Sequence, residues 1–149
     1  MTNTTPPGLL RRLAAICYDT LILAAVLIAA TAAALLFTRG NAIEPGTLWY
    51  QGYVASIALA YYAGFWRFGG QTIGMVAWRL HVVAANGDTV TFLQAIWRAL
   101  LAAVSWLAAG LGFWWVLIDR EKRGWHDLLS GTRLEWTGGI NAPGPTPPA

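Results

Sequence analysis

Leu13–Phe37, LAAICYDTLILAAVLIAATAAALLF, is the stretch on which the fold turns, 25 residues in which Asp19 is the only charge. At ~1.5 Å per residue, a helix of this length crosses a ~30 Å hydrocarbon core with some tilt. The run therefore predicts a transmembrane helix. A cleaved signal peptide is the rival reading, because Arg11 and Arg12 precede the run and Ala30-Thr31-Ala32 has the small side chains of a cleavage site. The run is longer than the roughly 7–15 apolar residues of such a signal and carries a carboxylate, so the helix reading is preferred.

The rest of the chain agrees with a membrane protein. Of its 149 residues 56% are hydrophobic and 11% charged, too few charges to cover a soluble domain. Nine Trp and five Tyr suit the headgroup level, where amphipathic rings are at home. The single cysteine, Cys17, excludes an intrachain disulfide and a cysteine-built metal site. The ten Lys and Arg are scattered rather than gathered on an aromatic-studded face, which argues against nucleic acid as a partner. Met1–Gly8 and the Pro-rich Gly138–Ala149 predict flexible tails at 1–8 and 138–149, flanking one membrane domain at 9–137.

Thr47–Trp66, 20 residues without a charge, predicts a second crossing. Ser56, Ala60 and Gly64 form a small-residue stripe on it, as Ala25, Ala29 and Ala33 do on helix one, and the two stripes are expected to pack the helices together. VAWRLHVVAANGDTVT, residues 76–91, alternates apolar and polar positions and turns at Asn86-Gly87, which predicts a β-hairpin. Such a hairpin must lie in water or at the interface, because open strand edges do not face lipid. Thr132–Trp136 alternates likewise and is expected to add a third strand.

The third apolar run, Phe92–Ile118, contains Arg98 and is interrupted by Gly110-Leu111-Gly112. Crossing once, it leaves Lys and Arg divided five to five across the membrane, against the positive-inside rule. Entering and returning, it leaves nine on the cytoplasmic side and only Arg39 outside. The re-entrant path is preferred and the single crossing is the alternative. The fold class is thus an all-α membrane protein: two transmembrane helices, a third re-entrant or crossing segment, a small cytoplasmic β-hairpin, and both termini inside.

Asp19 stands out chemically, since a carboxylate inside an apolar helix is costly and marks either a buried ion pair or a functional site. Arg12 lies ~10 Å away along the helix and is expected to snorkel to the headgroups. Arg98 is the candidate ion-pair partner of Asp19. In WHDLLSGT, His126 and Asp127 have only His81 as a further histidine, so no metal site is read there, and Asp127 is expected to cap a turn or pair with an arginine. No nucleophile–base pair or phosphate-cradling loop appears, so no catalytic residue, cofactor or enzymatic activity is expected.

The ordered set of motifs resembles the RDD family. LLRRLAAICYDTLIL is similar to the family's first helix, with Arg12 and Asp19 at its signature positions. GWHDLLSGTRLEW resembles the closing HD-x-L-x-G-T signature, which makes Asp127 the second signature aspartate. GGQTIGMVAWRLHVV resembles the family's G-x-T-x-G-K segment, with Met75 standing where many members have Lys. The likeness runs from about Leu9 to Trp136. It implies a bacterial inner-membrane protein of unassigned activity for which transport is often suggested. Two functions follow as expectations: transport of a small ion or solute using Asp19, in a homo-oligomer because two or three helices enclose little polar space, or a membrane-anchored adaptor that binds a partner protein through the hairpin and the WHDLLSGT region.

Overall fold

A computed structural model describes residues 6–44, 46–108, 110–119 and 122–138. Apart from residues 6–8 and 138, the expected tails lie outside the described residues. The chain is mostly helical with one small sheet. Helix α1 spans Leu9–Phe37 and α2 spans Leu48–Phe68, and the two run antiparallel. A short α3, Ile73–Ala77, leads to strand β1, Leu80–Ala84. Then come α4, Phe92–Leu107, a one-turn α5, Leu111–Trp114, a 3-10 turn at Trp115–Leu117, a short α6, Trp125–Leu129, and strand β2, Thr132–Trp136.

By length and apolar composition α1 is one clear membrane-span candidate. Its 29 residues reach about 43 Å, more than a ~30 Å core requires. Along it Arg12, Ala15 and Asp19 are buried at spacings of three and four, so they form one stripe. Leu21, Ile28, Leu36 and Phe37 stay exposed. That much uncovered apolar surface is what lipid contact demands and a soluble protein avoids.

The small-residue stripes do not pack α1 on α2 as expected. Ser56, Ala60, Ala25 and Ala29 are exposed. Polar groups tie the two helices instead: Thr31 Oγ1 lies 2.7 Å from Tyr50 Oη, and Tyr53 Oη donates to the Ala30 carbonyl at 3.2 Å.

The sheet also differs from the predicted hairpin. The Asn86-Gly87 turn forms, with Gly87 N–H donating to the Ala84 carbonyl at 2.8 Å. No second strand follows, because Thr91 caps α4 only four residues later. Its hydroxyl accepts from Gln94 N–H at 3.3 Å while the Gln94 side chain accepts from Thr91 N–H at 3.0 Å, a reciprocal cap. Strand β1 pairs with β2, antiparallel, in the register Leu80↔Trp136 to Ala84↔Thr132. The alternation was therefore legible in both segments, but the paired residues lie from 48 (Ala84↔Thr132) to 56 (Leu80↔Trp136) positions apart. Leu80, Val82 and Leu134 point into a small core with Ala15, Ala63, Trp66, Val90 and Ala95.

After α4 the chain turns back. Gly110 adopts φ +75° and its N–H caps the Ser105 carbonyl at 2.9 Å, ending the helix in the left-handed region that glycine tolerates. The α5 turn then folds against α4 so closely that a Cβ at Gly112 would collide with the Ser105 hydroxyl. In consequence α6 lies beside α4, and β2 continues from it toward β1.

Candidate functional site

Asp127 is wholly buried at the third position of α6, where its Oδ2 accepts the Gly124 N–H at 2.9 Å and fastens the helix start. The same oxygen accepts from Arg12 Nη1 at 2.7 Å, and Oδ1 is ion-paired with Arg98 Nη1. Three segments distant in sequence thus meet on one carboxylate: the first turns of α1, the second turn of α4, and α6. Each guanidinium is fixed further. Arg12 Nη2 donates to the Lys122 carbonyl at 2.6 Å. Arg98 donates to Thr132 Oγ1 at 2.6 Å and lies 5.0 Å over the Trp66 ring. Thr132 in turn lies 2.8 Å from the Ser130 hydroxyl.

Burial by itself would raise the Asp127 pKa, but Arg98, His126 and Arg12 together with the Gly124 amide hold it well below the usual carboxylate range. The carboxylate is charged at every physiological pH. Neighbouring His126 is also shifted down, but with burial as the main cause rather than the force opposed. Burial pushes it down to about 4, with Arg98 and Arg12 adding to the effect and Asp127 opposing it, so it is neutral at pH 7.

Asp19 has a separate environment. Its Oδ2 accepts from Thr72 Oγ1 at 2.5 Å, and Oδ1 accepts from Gly74 N–H at 2.8 Å and from Tyr61 Oη at 3.3 Å. Gly74 is required for this approach, since a Cβ there would collide with the Ala15 carbonyl and lie 2.8 Å from the Asp19 carboxyl carbon. The expected pairing of Arg98 with Asp19 is therefore corrected: Arg98 is engaged by Asp127, which the returning chain brings to it, and Asp19 faces α3. Nor does Arg12 snorkel; it is only 4% exposed, because a carboxylate is available within the fold.

Sequence reading singled out Arg12, Asp19, Arg98 and Asp127, and the structure joins three of them and sets Asp19 apart. It assigned no role to Thr72 and Gly74, the fixed positions of the G-x-T-x-G-K resemblance, and passed over Trp66 and Thr132. The signal for the first two was present in Gln71-Thr72-Ile73-Gly74: Thr72 is a helix N-cap, accepting from Met75 N–H at 3.3 Å, and the glycine two residues on marks close backbone approach. Met75, the position of departure from the RDD pattern, is buried in the core.

A cavity of about 680 Å³ lies between α1, α2 and α4. Arg12, Asp19 and His126 line it, with Met75, Leu80 and Leu134 among its apolar neighbours, and its far part is bounded by Gly52, Ala103 and Trp106.

This arrangement defines a class: a helical membrane protein whose α1, α4 and α6 are clamped by two arginines on one buried aspartate. The chain belongs to the RDD family, whose sequence profile matches residues 6–131, most of its length. Comparison with curated proteins and with solved structures gave no match.

Proposed function

We propose that the chain is a multi-pass protein of a bacterial inner membrane, with a cytoplasmic N-terminus, that moves a small ion or solute past Asp19 and is not an enzyme. One observation carries this reading: Asp19 lines the cavity, and its partners are two hydroxyls and an amide rather than a guanidinium. Among the described residues no guanidinium stands against this carboxylate, which leaves it free to serve as the counter-charge of a passing cation. Asp127 is the opposite case, a carboxylate already neutralised by two arginines, and we assign it to scaffolding.

In this reading α1 and α2 cross the bilayer, while α4 enters and the chain returns through the break at Gly110 to the cytoplasmic side. Copies of the chain associate through exposed small residues such as Ala25 and Ala29. The test is flux in proteoliposomes, measured for protons and monovalent cations, with Asp19→Asn beside the wild type. Flux above that of empty vesicles, lost in Asp19→Asn while the purified variant keeps its helical content, is the expected result. Wild-type flux at background, or flux indifferent to Asp19, would refute it. The adaptor alternative draws on exposed apolar groups at the polar end of the helices, Phe68, Val76 and Leu129. It predicts a partner protein that crosslinks reproducibly there and is lost when all three are made polar.

A further inference from the structure

We infer that the groove between α1 and α4 is a binding site for an anionic phospholipid, with one acyl chain lying along α2 and the phosphate at the Arg12 end. The inference goes beyond the transport reading and does not depend on it. Helices α1 and α4 both pack on α2, and the cavity opens between them. Above its charged floor it is lined by Ala55, Leu59, Ala99, Leu100 and Ala103, small or aliphatic side chains, of which Ala55 and Ala103 are exposed. Small residues leave the space and larger ones close its sides. This aliphatic part of the groove suits hydrocarbon better than water, while the end at Arg12 and Asp19 is polar.

The dimensions agree with a lipid chain. Gly52 and Trp66 both line the cavity and stand 14 residues apart on α2, ~21 Å along the axis, which exceeds the ~15 Å that one leaflet contributes to a ~30 Å core. The 680 Å³ volume falls within the ~300–1,000 Å³ of ordinary ligand pockets.

Charge sets the headgroup. The buried cluster has two guanidiniums on one carboxylate and so carries one positive charge in excess. Arg12 is its member that lines the groove, and its hydrogen bond to the Lys122 carbonyl brings the Lys122 backbone to the same end. Arg11 and Arg67, at the same end, lie over the rings of Trp136 and Phe68 and pair with no carboxylate among the described residues. Asp19 also lines the groove, but both its oxygens accept donors from α2 and α3, and it sits ~10 Å further along α1 than Arg12. A phosphate at this end therefore meets Arg12 before Asp19, with Lys122 the neighbouring cation in the chain.

The experiment uses the full chain, purified in mild detergent, delipidated, and titrated with phosphatidylglycerol or phosphatidylcholine of identical acyl chains while native mass spectrometry counts bound lipid and subunits. The expected result is one phosphatidylglycerol per chain, held about tenfold more tightly than phosphatidylcholine. Ala103→Trp and Ser56→Trp, which fill the groove from opposite walls, should abolish the adduct, while Leu36→Trp on the exposed face of α1 should keep it. Lys122→Gln should narrow the preference for phosphatidylglycerol. A wild type without bound lipid, or groove-filled variants that retain lipid as Leu36→Trp does, would overturn the site. Equal retention of the two lipids, or a Lys122→Gln chain with undiminished preference, would overturn the headgroup placement. A dimer that Ala103→Trp dissociates would overturn the proposal by assigning the groove to a second copy.

Discussion

At the scale of the residue, the Asp127 carboxylate and its two arginines are worth more as an intact set than any one pairing. Removing one member of a buried ion pair leaves charge in a low-dielectric interior and costs about 3–5 kcal/mol. Arg98→Ala should therefore lower unfolding stability in detergent by roughly that amount, and a loss below about 1 kcal/mol would show the cluster to be hydrated. Arg98→Lys should not rescue it, because an ammonium cannot reach both Asp127 and Thr132 while stacking on Trp66. His126 adds a pH dependence of definite sign. Its folded pKa, about 4, lies below the ordinary value near 6.5, so between these limits the unfolded chain binds the extra proton. Stability is full above pH 6.5 and falls as pH drops to 4, by about 3 kcal/mol for a shift of this size. Asp127, depressed as well, is a carboxylate and gives up its contribution only as pH falls below the ordinary carboxylate value near 4. The two windows are thus separable: thermal melts of His126→Gln between pH 7.5 and 4.5 should lack most of the slope that the wild type shows.

At the scale of the element, two glycines show what chain reversal demands. Gly112 presses on Ser105, so Gly112→Ala should force α5 off α4 and cost about 1–3 kcal/mol, the usual range for overpacking. Gly64 in α2 faces open space, and Gly64→Ala should be neutral or raise stability by about 0.5–1 kcal/mol through helix propensity alone. Melting temperatures of the pair settle the contrast, and equal losses would mean that the α5 contact carries no weight. The long helices and the two strands were themselves legible, because hydrophobic run length and two-residue alternation are local properties, whereas the five-residue helices α3 and α6 were not, being too short to show a period. The pairing of β1 with β2 was not, since alternation says that a segment has two faces and nothing about which edge it meets. The site divides the same way. Arg12, Asp19, Arg98 and Asp127 could be picked out one by one because charge beside apolar sequence is costly. Which carboxylate Arg98 finds depends on whether the third segment turns back, and that rests on the local geometry of Gly110 and Gly112 rather than on composition.

At the scale of the whole molecule, the cluster ties the path of the chain through the bilayer to its stability. Arg12 stands at the start of α1, and Arg98 lies in the second turn of α4, nine residues before Leu107, ~14 Å along the axis. A chain that continued outward from Leu107 and emerged on the far side would carry Asp127 away from both arginines by most of the bilayer thickness. Their contact at Asp127 requires the reversal, and in the proposed topology the reversal puts nine of the ten Lys and Arg on one side, with Arg39 alone on the other. Two independent terms, ion pairing and positive-inside bias, thus favour the same path. Alkaline phosphatase fused after Trp136 should then be inactive and a fluorescent protein fused there bright, both reporting a cytoplasmic C-terminus. Active phosphatase would mean that the third segment crosses and that the arginines do not meet Asp127 in the membrane. The coupling of the two terms gives a sharper form of the same measurement. In an Asp127→Asn fusion the ion-pair term is gone but the charge bias is untouched, so the C-terminus should stay cytoplasmic while the protein turns over faster. Replacing Lys122 and Arg123 by Gln weakens the bias instead, and should produce phosphatase activity only when Asp127→Asn is added. If the Lys122 and Arg123 replacements alone invert the C-terminus, the buried cluster contributes nothing to topology and the charge distribution decides it.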